Sequence, residues 1–200
     1  MEIAVLANDE QWKEINTGLV HADFLRIFSL ENIPPVVEAC LFLQESEQFN
    51  FNISSVPIFI NSVSVTLKEI HAPGNIFRIN GWNSFLSRET WEISGLLNEH
   101  VEPIFAALGK KIIVVPDEPG FISARIIAMI INEAYFALED KISTKEEIDT
   151  AMKLGTNYPY GPFEWASLIG PNRVCSLLEK LSMHDKRYLP ATLLKEAANA

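Results

Sequence analysis

The sequence predicts an α/β domain followed by an all-α domain, and three observations predict it. In the first half, short apolar runs bounded by turn residues alternate with stretches of helical spacing, the pattern of a mostly parallel sheet. Pro116, Pro119 and Gly120 then break the chain directly after the clearest of those runs, Ile112 to Val115. Beyond them, Phe121 to Gly170 reads as a series of helices. The expected domains are therefore residues 1–116 and residues 117–200.

In chain order, Ile3 to Ala7 reads as a buried strand, and Asp9 as the cap of a short helix carrying Trp12 and Ile15. Phe24 to Ser29, Ala39 to Leu43 and Val56 to Ile60 read as further strands, with a turn at Asn32-Ile33-Pro34-Pro35. Phe77-Arg78-Ile79 and Trp91-Glu92-Ile93 are two more, shorter strands. Asn98 is placed to cap a helix through Val101, Ile104, Phe105 and Leu108, which Gly109 closes before the last strand. The connections after Ser29 and Leu43 are short for helical crossovers, which need a dozen or more residues, so the doubly wound sheet is expected to be a reduced one.

In the second half, Ile122, Ile126, Met129, Ile130, Ala134 and Ala137 recur at helical spacing. Ile127, Ile131, Tyr135 and Phe136 fill the flanks, so this helix is apolar almost all round and is expected to be buried from several sides. Glu133 sits among these residues and is the charge expected to be half-buried, with Arg125 as its partner. Ser143 precedes Glu146 by three residues, the spacing of a capping box, and Gly155 is placed to end the helix that follows. Pro162 suits the first turn of a short third helix, stopped by Gly170.

Composition bounds the function. Of the 200 residues 48% are hydrophobic, enough for a real core, and the net charge of −10 argues against nucleic acid or an anionic membrane as partner. The opening MEIAVLANDEQWKE has neither the basic region nor the long apolar run of a signal peptide or membrane span. Cys40 and Cys175 lack any paired-Cys or Cys/His metal spacing and read as reduced core thiols, so a cytoplasmic protein without a metal is expected. Asn52-Ile53-Ser54 matches a glycosylation acceptor, which means little without an export signal. Trp82, Trp91, Phe163 and Trp165 read as core, and none of His21, His71, His100 and His184 lies in a ligand or nucleophile spacing.

One ordered series of motifs says more. Pro119-Gly120-Phe121-Ile122 with Arg125, then Asn132-Glu133-Ala134, then Ile148-Asp149-x-Ala151-Met152-Lys153-Leu154-Gly155, then Pro159-x-Gly161-Pro162-Phe163-Glu164, then Leu168-Ile169-Gly170 follow one another, with Arg187-Tyr188-x-Pro190 near the end. The series resembles the C-terminal domain of the 3-hydroxyacyl-CoA dehydrogenases of fatty-acid β-oxidation, from about Lys110 to Leu194. The resemblance implies a reduced Rossmann-like sheet followed by a helical domain of the 6-phosphogluconate-dehydrogenase type. It also implies NAD as the family cofactor and a homodimer paired through the helical domain.

The positions that carry the family's chemistry depart from its pattern. The family has a glycine-rich turn after the first strand, so that backbone N–H groups can approach a pyrophosphate. Here that turn reads Leu6-Ala7-Asn8-Asp9-Glu10-Gln11-Trp12, with two carboxylates where the phosphates belong, and no acid for the ribose follows Phe28-Ser29. The family's catalytic His falls on Asn83 of Asn80-Gly81-Trp82-Asn83-Ser84-Phe85, and an amide cannot take up and release a proton near neutral pH. Glu92 matches the carboxylate that orients that His. The family's catalytic Asn falls on Ala124, which offers no donor to an oxyanion. Ser64, or Ser62, takes the place of the substrate-side Ser. No NAD is therefore expected. Three outcomes stay open: a relative without hydride transfer that binds an acyl-CoA-like ligand or a partner, a working dehydrogenase with displaced residues or completed by another chain, and a dimerising structural subunit.

Overall fold

The computed structural model describes residues 1–17, 21–29, 33–44 and 56–200. The glycosylation-like triplet at 52–54 and part of the expected turn at 32–35 lie outside them. The chain divides into two compact units, Met1–Phe121 and Ile122–Ala200. The division falls beyond the expected Pro116 because Asp117 is tied to the first unit by hydrogen bonds from Leu67 N, Lys68 N and Arg78.

The first unit is built from β1 (Glu2–Leu6), α1 (Asp9–Ile15), β2 (Asp23–Ile27), β3 (Ala39–Phe42), β4 (Ile58–Asn61), β5 (Ile76–Ile79), β6 (Thr90–Ser94), α2 (Val101–Ala107) and β7 (Lys111–Val114). Among the described residues the strands form one sheet in the order β2-β1-β3-β4-β5-β6-β7. Neighbours are parallel except β5 and β6, so the expected mostly parallel sheet is observed. With β2 on one side of β1 and β3 on the other, the strand order reverses at the carboxyl ends of β1 and β3.

Among the described residues the two faces of the sheet are covered by different elements. Ile3, Val5, Leu41, Phe59, Phe77, Ile79 and Ile93 pack with Ile15 of α1 and with Val101, Ile104 and Phe105 of α2. Ala4, Cys40, Phe42, Ile58, Ile60 and Ile76 pack instead against irregular segments carrying Val37, Leu67, Ile70 and Ala72. The connections after Ser29 and Leu43, read as short in the sequence, include residues 30–32 and 45–55, which lie outside the described residues.

The second unit contains α3 (Ser123–Glu139), α4 (Lys145–Thr156), α5 (Pro162–Ile169), α6 (Pro171–Ser182), a 3-10 turn (Lys186–Tyr188) and α7 (Thr192–Ala198). α6 had no counterpart among the expected helices. Its apolar residues Val174, Leu177, Leu178 and Leu181 are all buried at helical spacing. On α3 the buried side runs through Ala124, Ile127, Ala128, Ile131, Asn132, Ala134 and Tyr135. The expected stripe therefore faces outward at Ile122 and Ile126, 51% and 54% exposed, and Phe136 joins it. Glu133 is exposed too, because it lies on this outer side and not between packed helices. Trp82, Trp91, Phe163 and Trp165 are core residues as expected.

The caps differ from expectation by a residue or two. Asn8, not Asp9, caps α1 and forms a reciprocal box with Gln11. Thr144 and Glu147 form the box of α4, where Ser143 and Glu146 were expected. That helix runs through Gly155 and ends on Asn157, whose φ of 57° supplies the left-handed turn. α2 begins after His100, with the Asn98 side chain accepting from His100 N in the preceding turn.

Candidate functional site

In open α/β sheets ligands bind beyond the carboxyl ends of the strands, where the strand order reverses. Here that place lies after β1 and β3, and polar side chains fill it. Gln11, 2% exposed, donates through Nε2 to Leu43 O at 2.7 Å and Gly81 O at 2.9 Å. Asn61, at the end of β4, donates to the same Leu43 O at 2.9 Å and accepts from Gly81 N at 3.0 Å. A Cβ on Gly81 would stand 2.8 Å from Asn61 Cβ, so the close approach requires glycine. Two amides thus bind the ends of β3, β4 and β5 to the first turn of α1.

Two N–H groups of that first turn, those of Asn8 and Gln11, are also occupied. Asn8 N gives its hydrogen to Gln11 Oε1, and Gln11 N gives its own to Asn8 Oδ1. Asp9 and Glu10 follow with negative charge. At the end of β2, Arg26 binds Asp9 Oδ1 at 2.5 Å and lies over the Trp12 ring. The hydrogen bond from Arg26, with its charge, holds the Asp9 carboxyl below the usual range. A dinucleotide pyrophosphate placed here would meet the carboxylates of Asp9 and Glu10, so the residues present do not fit NAD at the family's position.

Asn83 follows β5 on a turn braced from two sides. The Glu14 carboxylate of α1 accepts from Ser84 N at 2.6 Å and Leu86 N at 3.2 Å, and from Ser87 N. Burial raises the Glu14 carboxyl above its ordinary value despite those hydrogen bonds. Lys110 donates to Leu86 O at 3.0 Å and Arg88 O at 2.9 Å. Ser84 takes a positive φ of 76° on this turn. Asn83 is half-buried, and its Oδ1 is enclosed with no hydrogen-bond partner among the described residues. It is an acceptor in a rigid turn and has no imidazole's proton to move.

Ser64 lies half-buried in the loop after β4, which Arg78 anchors. Arg78 is fully buried and donates to Ser62 O at 2.8 Å, Val63 O at 3.0 Å and Asp117 Oδ1 at 2.6 Å. Ser62 Oγ itself donates to Val65 O. Burial works to raise the Asp117 carboxyl, but Leu67 N, the Arg78 guanidinium and Lys68 N outweigh it, and the carboxyl lies below its ordinary value. Glu92 is half-buried on β6, one residue before the Ile93 that pairs with Ile79 of β5. Asn83, Glu92 and Ser64 thus belong to the sheet unit. Ala124 is fully buried on α3 of the helical unit, a packing position.

Sequence reasoning missed Gln11, Asn61, Glu14 and Arg78, whose hydrogen-bond partners are remote in the chain. Among the described residues no group of His, Cys, Asp or Glu side chains could hold a metal ion. Burial pushes both thiols, Cys40 and Cys175, up to about 11, so neither is a ready nucleophile. No described helix is long and apolar enough to cross a membrane.

In the helical unit the family motifs serve the joints between helices. Asp149 lies in the second turn of α4 and caps the neighbouring helix. Its oxygens accept from Phe163 N at 2.8 Å and Glu164 N at 3.2 Å at the start of α5. Asn132 donates to Leu189 O and accepts from Ala191 N, fixing the approach to α7. The 3-hydroxyacyl-CoA dehydrogenase C-terminal domain matches residues 120–200. The 3-hydroxyadipyl-CoA dehydrogenase of Escherichia coli K12 is 46% identical over 92 residues, 45% of this chain and 19% of that protein.

The chain belongs to the 3-hydroxyacyl-CoA dehydrogenase family. A 3-hydroxybutyryl-CoA dehydrogenase of Clostridioides difficile is 34% identical over 153 residues, 70% of this chain and 54% of that protein. The structure of the (S)-3-hydroxybutyryl-CoA dehydrogenase of Ralstonia eutropha is similar with a TM-score of 0.68 at 26% identity, over 86% of this chain and 69% of that one. Its fold, like that of other family members, joins a Rossmann-like sheet to a helical domain, as expected here. The chain spans from about a fifth to about half of the length of the curated relatives it matches.

Proposed function

We propose that this family member has given up NAD binding and hydride transfer, and acts through its helical unit as a dimeric, ligand-binding relative of the dehydrogenases. The observation that carries the reading is the closed turn after β1. There Asp9 and Glu10 bring negative charge, the Asn8–Gln11 box uses the N–H groups of both its residues, and Gln11 is tied to Leu43 and Gly81. Asn83 in place of a base and Ala124 in place of an amide donor point the same way. The outer side of α3, with Ile122, Ile126 and Phe136 exposed, is the surface that a second copy would cover. The ligand expected from the relatives' names is an acyl-CoA. The purified chain should therefore show no heat of binding and no thermal shift with millimolar NAD or NADH, since a ligand bound to the native state must stabilise it. It should also form no NADH from 3-hydroxybutyryl-CoA and NAD, and should sediment as a dimer.

A second reading is a working NAD-dependent 3-hydroxyacyl-CoA dehydrogenase. The 153-residue match to the Clostridioides enzyme favours it, because a match of that length extends into the sheet unit. NADH formation by the purified chain, abolished in a Glu92→Gln variant, would establish this reading and end the first.

A further inference from the structure

A cavity of about 560 Å³ lies within the sheet unit, away from the strand ends described above. Its size is that of small-molecule sites. Leu67, Ile76, Leu96 and Val115 supply apolar wall, and Lys68 and His71 stand at its border. It lies beside the turn at residues 66–72, at the start of β5, the end of β6 and the residues just past β7.

The border is built rigidly. Thr66 N and Oγ1 both bond Glu69 Oε2, and Ala72 N bonds Leu67 O, which closes a helical turn. Leu67 N and Lys68 N are held by the two oxygens of Asp117. Asp117 is the one carboxylate among the lining residues, and Arg78 pairs with it at 2.6 Å. The acid of the cavity is thereby neutralised from behind, while Lys68 extends its charge on an exposed side chain. An apolar wall, a cationic border and a compensated acid complement a molecule with an aliphatic body and one negative end.

We infer that this cavity binds a small amphipathic carboxylate. Its chain lies along Leu67, Ile76, Leu96 and Val115, its carboxylate meets Lys68, and His71 is a second donor. The inference is independent of the fate of NAD binding, because no residue of the closed turn lines this cavity.

The test uses methyl NMR of the full chain with octanoate, 1-octanol and octylammonium as probes. Octanoate is expected to shift the methyl signals of Leu67, Ile76, Leu96 and Val115, and octylammonium to leave them in place. Lys68→Glu should weaken octanoate about tenfold or more, since it reverses the complementary charge. Leu96→Asp should abolish binding. Both side chains are exposed, and unchanged methyl signals from Ile131 and Leu178 would report an intact fold. Octanol or octylammonium shifting these signals as strongly as octanoate would overturn the inference. So would full octanoate affinity in Lys68→Glu, or no shift with any probe.

Discussion

The two units bury polar side chains for different ends. In the helical unit Asp149, Asn132 and Glu139 each reach from one helix to the backbone that opens or precedes another, at Phe163, Ala191 and Leu193. These are joints between helices. In the sheet unit Gln11, Asn61 and Glu14 crowd the carboxyl ends of the strands, where this class of sheet offers room to a ligand. Family likeness follows the same division. The joints at Asp149 and Asn132 fall in the motifs that identify the helical unit, whereas the strand ends carry the departures from the family pattern. A sheet of this class can thus fill the space beyond its strand ends with its own side chains.

The largest test of that contrast is Arg78→Met. Arg78 is fully buried and holds Ser62 O, Val63 O and Asp117 at once, so its removal leaves carbonyls and a carboxylate unmatched. Breaking a buried pair in this way costs about 3–5 kcal/mol. Denaturant unfolding should show that loss. Hydrogen exchange should locate it at Ile3 and Phe59, with Ile131 and Leu178 keeping their protection. Equal loss in the helical amides would erase the division between the units.

A smaller effect is expected from the opposite unit. Gly161→Ala places a Cβ 2.3 Å from Asp149 Cγ, and the cap on α5 must shift to admit it. Overpacking of this kind costs about 1–3 kcal/mol. Asp149→Ala removes the cap outright, at roughly 1–2 kcal/mol. If the two effects share one joint, the double variant should lose much less than the sum, because alanine at 149 clears the space.

Gln11→Ala addresses the strand ends themselves. Leu43 O keeps its bond from Asn61, but Gly81 O loses the Gln11 donor, a cost of about 1–3 kcal/mol for a buried acceptor. The variant should still fail to bind NAD in calorimetry, because Asp9 and Glu10 remain. Binding gained by this one change would show that a single amide had kept the site closed.

Much of the fold was legible because it depends on local signals. Apolar runs located all the described strands, and Pro162 and Gly170 bounded α5 where expected. α6 carried an equally plain signal in Pro171, Val174, Leu177, Leu178 and Leu181 but lay beyond the motifs that drew the reading. The caps slipped because neighbouring residues offer the same chemistry. Ser143 with Glu146 and Thr144 with Glu147 are both capping boxes on paper, and only the backbone angles choose between them. The strand-end site was hardly legible. Gln11 looks like an ordinary first-turn residue, and its acceptors lie 32 and 70 residues away. Arg78 sits in an apolar strand whose partner acid comes 39 residues later. Asn83 and Glu92 entered through resemblance alone, since neither carries a physical signature in its immediate neighbours.

The smallest expected effects come from pH and from Glu14, and they separate the two carboxylates that brace the sheet unit. Asp117 has a lowered folded pKa, so it contributes stability above its unfolded value, and that contribution is lost as pH falls through the folded value. Acid should therefore destabilise the wild type through Asp117, and the slope should shrink in Asp117→Asn. Glu14 runs the other way. Burial raises its folded pKa, so its favourable contribution is complete below the unfolded value and disappears as pH rises through the folded one. At neutral pH the charged form is held against that penalty by the N–H groups of Ser84, Leu86 and Ser87. Glutamine carries no charge to desolvate, but it keeps one oxygen for those donors and turns its NH2 toward the N–H that the other oxygen bound. Glu14→Gln should accordingly cost no more than about 1 kcal/mol at neutral pH, the lost acceptor being partly offset by the relieved desolvation. Its unfolding curves between pH 4 and pH 7 should also be flatter than those of the wild type. A loss of several kcal/mol would instead mean that the turn carrying Asn83 needs the negative charge itself, and that Glu14 binds those N–H groups as an anion in its own right.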